Sequence, residues 1–167
     1  MNRRVLTSVY KPEIAKSKLT KHFGDKLPLI DISNNLTDIG RITLAAMCDG
    51  HKITSSGNNV PADFEVTRAP AIVDSLVNDF NLPITRQRID TISGTGNKAY
   101  QSIYYIQDNA LKELLDDPDT VLSRNRKENS LKAWSRSERE LQRLVKELGG
   151  EEVLSYVKDI MSSKDTI

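Results

Sequence analysis

The residue types that most often carry catalysis are few in this chain and poorly spaced for it. His22 and His51 lie far apart, with no carboxylate or further histidine at the spacing a metal site needs, so each reads as an exposed side chain. The sole cysteine, Cys48, falls inside an apolar run and reads as a small core residue rather than a nucleophile. It has no second cysteine to bridge, which fits a reducing compartment. The segment Gly94-Thr95-Gly96-Asn97-Lys98 has the glycine content of a phosphate loop without its full spacing or a following helix. Asp116, Asp117 and Asp119 lack the spacing of an EF-hand calcium loop and are accounted for as charge at a helix terminus. These readings predict a protein that is not an enzyme and holds no metal or cofactor.

Binding chemistry is better represented. Thr67, Arg68, Ser75 and Asn78 lie in one segment, and Arg86, Arg88 and Lys98 in the next. Arginine offers forked donors to a guanine edge or a phosphate, lysine a point charge, and hydroxyl and amide groups supply shorter-range contacts.

The elements that must position these residues follow from periodicity. Thr67 predicts a helix N-cap with Pro70 in the first turn, and Ile72, Val73, Leu76, Val77 and Phe80 recur at helical spacing until Asn81-Leu82-Pro83. The period then changes. Ile84 to Ile92 and Ala99 to Ile106 read as two strands of a hairpin whose polar, glycine-rich tip is Ser93 to Lys98. Upstream, Thr37 caps a predicted core helix through Ile42, Leu44, Ala45, Ala46, Met47 and Cys48, which stops at Asp49-Gly50. Ile53 fits a short strand, Ser55 to Asn59 a loop, and Ala62 to Val66 a short helix or a turn.

The flanks differ from this middle. Residues 1–35 hold seven Lys or Arg (Arg3, Arg4, Lys11, Lys16, Lys18, Lys21, Lys26) against three acidic residues, and read as a basic arm of modest helical potential. Leu27 to Ile32 reads as a short strand or extended lead-in. Residues 108–167 read as a charged helical extension: a short helix over Ala110 to Leu115, a polar linker over Ser123 to Ser130, and two amphipathic helices around Gly149-Gly150. Ser137 and Glu140 form a capping box for the first of these, and Val153, Leu154, Val157, Ile160 and Met161 line the second. The pair predicts a helical hairpin, with a homodimer through residues 138–161 as one outcome. Trp134 reads as packed against the domain, with a partner anchor as the alternative.

Composition bounds the whole. A net charge of +1 over 167 residues, with 38% hydrophobic and 28% charged, leaves any basic surface to be local. No apolar run approaches the roughly 20 residues that cross a bilayer, so a cytoplasmic protein without a membrane partner is expected.

The stretches Ile39-Gly40-Arg41-Ile42, Lys52-Ile53-Thr54, Val66-Thr67-Arg68-Ala69 and Leu82-Pro83-Ile84-Thr85 resemble the small winged helix-turn-helix proteins of bacteriophages. The resemblance covers about residues 36–107. It implies a winged helix-turn-helix core, and with the basic N-terminal arm and C-terminal helical hairpin read from the residues the expected fold is α+β, mainly helical. It further implies duplex DNA as the partner, with the helix from Thr67 in the major groove, the hairpin as wing, and a role as a transcriptional or replication accessory factor in the cytoplasm of a bacterial host. Two alternatives remain. Asp74 and Asp79 on the supposed reading helix would suit the same scaffold used as a protein-binding module against a host polymerase, nuclease or replication factor. A DNA-packaging subunit, with the C-terminal helices forming a ring, is the other.

Overall fold

The computed structural model describes residues 4–55, 60–93 and 95–164, with side chains through Lys158. The expected loop residues Ser56 to Asn59, Gly94 at the hairpin tip, Arg3, and the side chains of Ile160 and Met161 lie outside the described residues.

From the N-terminus, Arg4–Val5 (β1) and Leu6–Val9 (α1) lead into two helices, Pro12–Phe23 (α2) and Leu27–Asn35 (α3). Proline sits in each first turn, where its missing N–H and fixed φ do no harm. The buried stripe of α2 is Ala15, Leu19 and Phe23, spaced four apart, while Ile14 faces outward. Gly24, with φ of 58°, ends it. The expected strand or lead-in at 27–32 is instead helical, because Leu29, Ser33 and Leu36 bury one side at a spacing near 3.6. The basic segment is therefore folded and packed. Leu6, Tyr10, Leu19, Phe23 and Leu29 all join the main core.

The centre of that core is Asp38–Cys48 (α4). Thr37 caps it as expected, its side chain accepting from the Gly40 N–H at 3.2 Å. Leu44, Ala45, Ala46 and Met47 are wholly buried, and both α2 and the later helix 69–78 pack on α4. Gly50, with φ of 85°, turns the chain into Ile53–Thr54 (β2).

The segment expected as a short helix or turn is a strand, Phe64–Glu65 (β3), parallel to both β1 and β2. Its burial alternates, with Phe64 and Val66 inside and Glu65 half-exposed, so the period is two. A backbone clamp fixes it. The Asp63 N–H donates to the Lys52 carbonyl at 2.8 Å while the Lys52 N–H donates to the Asp63 carboxylate at 2.7 Å.

Ala69–Asn78 (α5) follows, then Ile84–Ile92 (β4) and Lys98–Ile106 (β5), the hairpin expected from the alternation. One five-stranded sheet results, in the order β1-β3-β2-β5-β4, with β5 antiparallel to both β2 and β4.

Asp108–Asp116 (α6), Pro118–Leu148 (α7) and Gly150–Lys164 (α8) complete the chain. The expected linker at 123–130 and the new start at Ser137 do not exist. After Pro118 at its first position, α7 meets no glycine or proline before Gly149, and its Arg, Lys, Glu, Leu and Ala are good helix formers, so one helix of 31 residues runs through. The two expected amphipathic segments thus belong to α7 and α8, separated at Gly149, whose φ is 92°.

Packing divides the chain into two compact units, Met1–Arg126 and Lys127–Ile167. In the first, α6 and the opening turns of α7 bury Leu114, Pro118 and Val121, and Arg124 pairs with Glu113 at 2.8 Å. The fold is α+β and mainly helical. No helix among the described residues is long and apolar enough to cross a membrane.

Candidate nucleic-acid interface

Strand register decides which hairpin side chains share a face. In the β4–β5 ladder Arg86 pairs with Tyr104, Arg88 with Ser102, Asp90 with Tyr100 and Ile92 with Lys98. Directly opposed residues point to the same side and successive residues to opposite sides. Arg86, Arg88 and Lys98 therefore line one face, together with Tyr100 and Ser102. The base of this face is apolar, with Ile84, Tyr104 and Ile106 packed in the core, and toward the tip it becomes exposed, with Ile92 and Tyr100 standing among the charged side chains.

Two of these cations are held in place. The Arg86 Nε donates to the Ser102 Oγ at 3.0 Å. The Arg88 guanidinium lies 3.5 Å above the centre of the Tyr100 ring, a diagonal cross-strand pair that stacks the charge on an exposed π-face. Asp90 is the one acid on this face. At the tip the Ser93 N–H donates to the Asn97 carbonyl at 2.8 Å, and Gly96 takes the positive φ of 81° that closes the turn.

On α5 the expected contact residues behave differently. Thr67 was expected as the cap, but the N-cap position falls on Arg68, in left-handed conformation with φ 59° and ψ 31° and no side-chain cap. Pro70 explains the shift, because the helix must open close before it. Thr67 and Arg68 are both exposed. Ser75 and Asn78 are instead engaged within the helix: Ser75 Oγ donates to Asp79 at 2.6 Å, and Asn78 Nδ2 donates to Asp74 at 2.8 Å. The two carboxylates occupy the amide and hydroxyl donors that were expected to read a ligand. Ser75 and Asp79 also border a groove of about 230 Å³ between α5 and the start of α4, which Thr37, Gly40 and Ile72 help to line.

Tyr100 and Ser102 were not singled out from the sequence. The signal lay in the register, since the Arg88 and Arg86 positions select those partners once β4 and β5 are aligned.

A second polar cluster was also missed. Asp49, just past the end of α4, accepts from Tyr10 Oη at 2.6 Å, from Lys18 Nζ at 2.8 Å and bonds His22 Nε2 at 2.8 Å. Lys18 and His22 are one turn apart on α2, a spacing that puts both on one side of a helix. Burial works to raise the Asp49 carboxyl, but the hydrogen bonds from Lys18, Tyr10 and His22 outweigh it and hold the group down at about 2. The Tyr10 phenol is pushed well above its ordinary range, first by burial and then by its bond to Asp49, so it stays a donor.

Neither histidine is the free surface group expected. His22 is bonded to Asp49, and His51 meets the Tyr10 and Phe64 rings edge to face, at 6.2 and 4.9 Å between centroids. Cys48 is buried, and its thiol is pushed up to about 12 by burial and then by the Asp49 charge. Among the described residues no group of three or more His, Cys, Asp or Glu side chains is placed to hold a metal ion.

In comparisons with protein-family models, curated proteins and solved structures, nothing matches this chain.

Proposed function

We propose that this chain binds duplex DNA through the β4–β5 hairpin and the exposed start of α5, as a winged-helix protein of bacteriophage type acting as a transcriptional or replication accessory factor. The observation that carries the reading is the shared hairpin face bearing Arg86, Arg88 and Lys98, with two of the three cations pre-positioned by Ser102 and Tyr100. Fixing a side chain before binding lowers the ordering cost of the contact.

The order of elements supports a winged helix. A core helix (α4), a strand (β2), a helix (α5) and a hairpin (β4–β5) follow one another, and the first strand pairs with the last. Between β2 and α5 the described residues form the strand β3 and no helix, so among them α5 has no immediately preceding helix with which to form a helix-turn-helix. Arg68 then supplies the specific contact and the hairpin cations the phosphate contacts.

Fluorescence anisotropy with a random duplex across a salt series tests this. Affinity should fall steeply with salt, and Arg86→Ala and Arg88→Ala should each weaken binding and reduce the slope by about 1. Absence of binding at low salt would move the reading to its rival.

That rival, a protein-binding module, rests on α5: the Ser75–Asp79 and Asn78–Asp74 pairs make its exposed face polar and acidic, which suits a protein partner better than a phosphate backbone. Nuclease-resistant capture of one host protein, lost on Asp74→Arg, would support it.

A further inference from the structure

The exposed apolar residues of α7 form a single line. Leu131, Trp134, Leu141, Val145 and Leu148 are 58%, 71%, 48%, 41% and 53% exposed, so α8 does not cover them. With Glu138 they succeed one another at intervals of three, four, three, four and three. That is the a/d spacing of a coiled coil, and at about 100° per residue all six fall within an arc of roughly 100°. The flanking positions Ser135, Ser137 and Gln142 carry no charge that would repel a neighbouring helix. A heptad line of this kind fits another helix rather than a flat or concave surface.

We propose that a second copy of this chain covers the line, α7 against α7 in antiparallel orientation, with the two-fold axis between Arg139 and Glu140. In that register Leu131 packs beside Leu148 of the second copy, Trp134 beside Val145, and Glu138 beside Leu141. Each position of the line finds a place, and the largest side chain meets the smallest. A parallel pairing would instead set Glu138 against Glu138 and Trp134 against Trp134, placing like charges and two bulky rings in register.

Charge selects the same orientation. Residues 127–139 carry Lys127, Lys132, Arg136 and Arg139 against Glu128 and Glu138, a net +2. Residues 140–148, the remainder of α7, carry Glu140 and Glu147 against Arg143 and Lys146, a net of zero. An antiparallel pair lays each basic half along a neutral one, where a parallel pair would set the two basic halves side by side. The line offers roughly 500 Å² of apolar surface per copy, the larger part of the ~800 Å² per partner of a stable interface.

Light scattering on the full chain at tens of micromolar should give twice the 18.8 kDa of one copy. Leu141→Glu should return it to one copy, weakening association at least about 100-fold, with helicity by circular dichroism unchanged. Glu138→Leu should act oppositely and tighten the dimer about tenfold or more, an effect that a folding defect cannot mimic. For orientation, L131C and L148C proteins, each in a Cys48→Ala background, should crosslink when mixed and not when oxidised alone. A monomeric wild type, a dimer unmoved by either substitution, or self-crosslinking of the single-cysteine proteins overturns the proposal.

Discussion

Asp49 accepts from three side chains, Lys18 and His22 on α2 and Tyr10 just past the end of α1, and its carboxyl is held at about 2 as a result. A carboxyl whose folded value lies below its unfolded value of about 3.9 stabilises the fold above that unfolded value, and the contribution is lost as pH falls through the folded one. The window is therefore pH 4 down to about 2. Asp49→Ala leaves the Tyr10 hydroxyl and the Lys18 and His22 nitrogens without their acceptor, a loss of about 1–3 kcal/mol at pH 7. Urea unfolding at pH 7 and at pH 2 checks this: the gap between wild type and variant should be wide at the first and nearly closed at the second. A gap independent of pH would assign Asp49 no electrostatic role. Arg68 is strained in a different way, since a left-handed φ of 59° on a residue with a Cβ costs on the order of 1 kcal/mol that glycine avoids. Arg68→Gly should raise the urea midpoint while weakening binding to DNA. A stabilised variant that binds as tightly as wild type would remove Arg68 from the interface.

At the scale of elements, legibility followed how much of each signal was local. The hairpin could be read from the alternation of Ile84 to Ile92 and Ala99 to Ile106, and α4 from Thr37 and its apolar run, because capping and period are properties of neighbouring residues. The strand β3 was not readable, since Phe64 and Glu65 become a strand only by pairing with β1 and β2 from elsewhere in the chain. The fold of residues 6–35 was hidden likewise: Ala15 and Ser33 occupy buried positions that a search for large apolar residues passes over. Of the candidate site, the cations were visible but their face was not, because parity is set by register. Polarity was mistaken for a break at 123–130, where Arg, Lys and Glu extend a helix as well as they would fill a linker. Hydrogen exchange tests that stretch. The amides of Arg124 to Ser130 should be protected to the same degree as those of Val121 and Leu122, whereas exchange at the rate of an unstructured peptide would restore a linker.

At the scale of the whole molecule, the interface proposed for DNA and the line proposed for a second copy lie in different compact units. A chain ending at Arg126 keeps Val121, Leu122 and the bond from Asn125 to the Asn81 carbonyl that secures the turn between α5 and β4. It should fold and remain a monomer. Phosphate contacts each contribute about 0.9 to the slope of log affinity against log salt, so a dimer that sets two hairpins on one duplex has about twice the slope of a single unit. Comparing the full chain with residues 1–126 in the same anisotropy titration reads both properties at once. A slope halved in the shorter chain means that the α7 pairing places two hairpins on one DNA. An unchanged slope in a confirmed dimer means that only one hairpin engages each duplex, leaving the second copy free to hold another DNA segment.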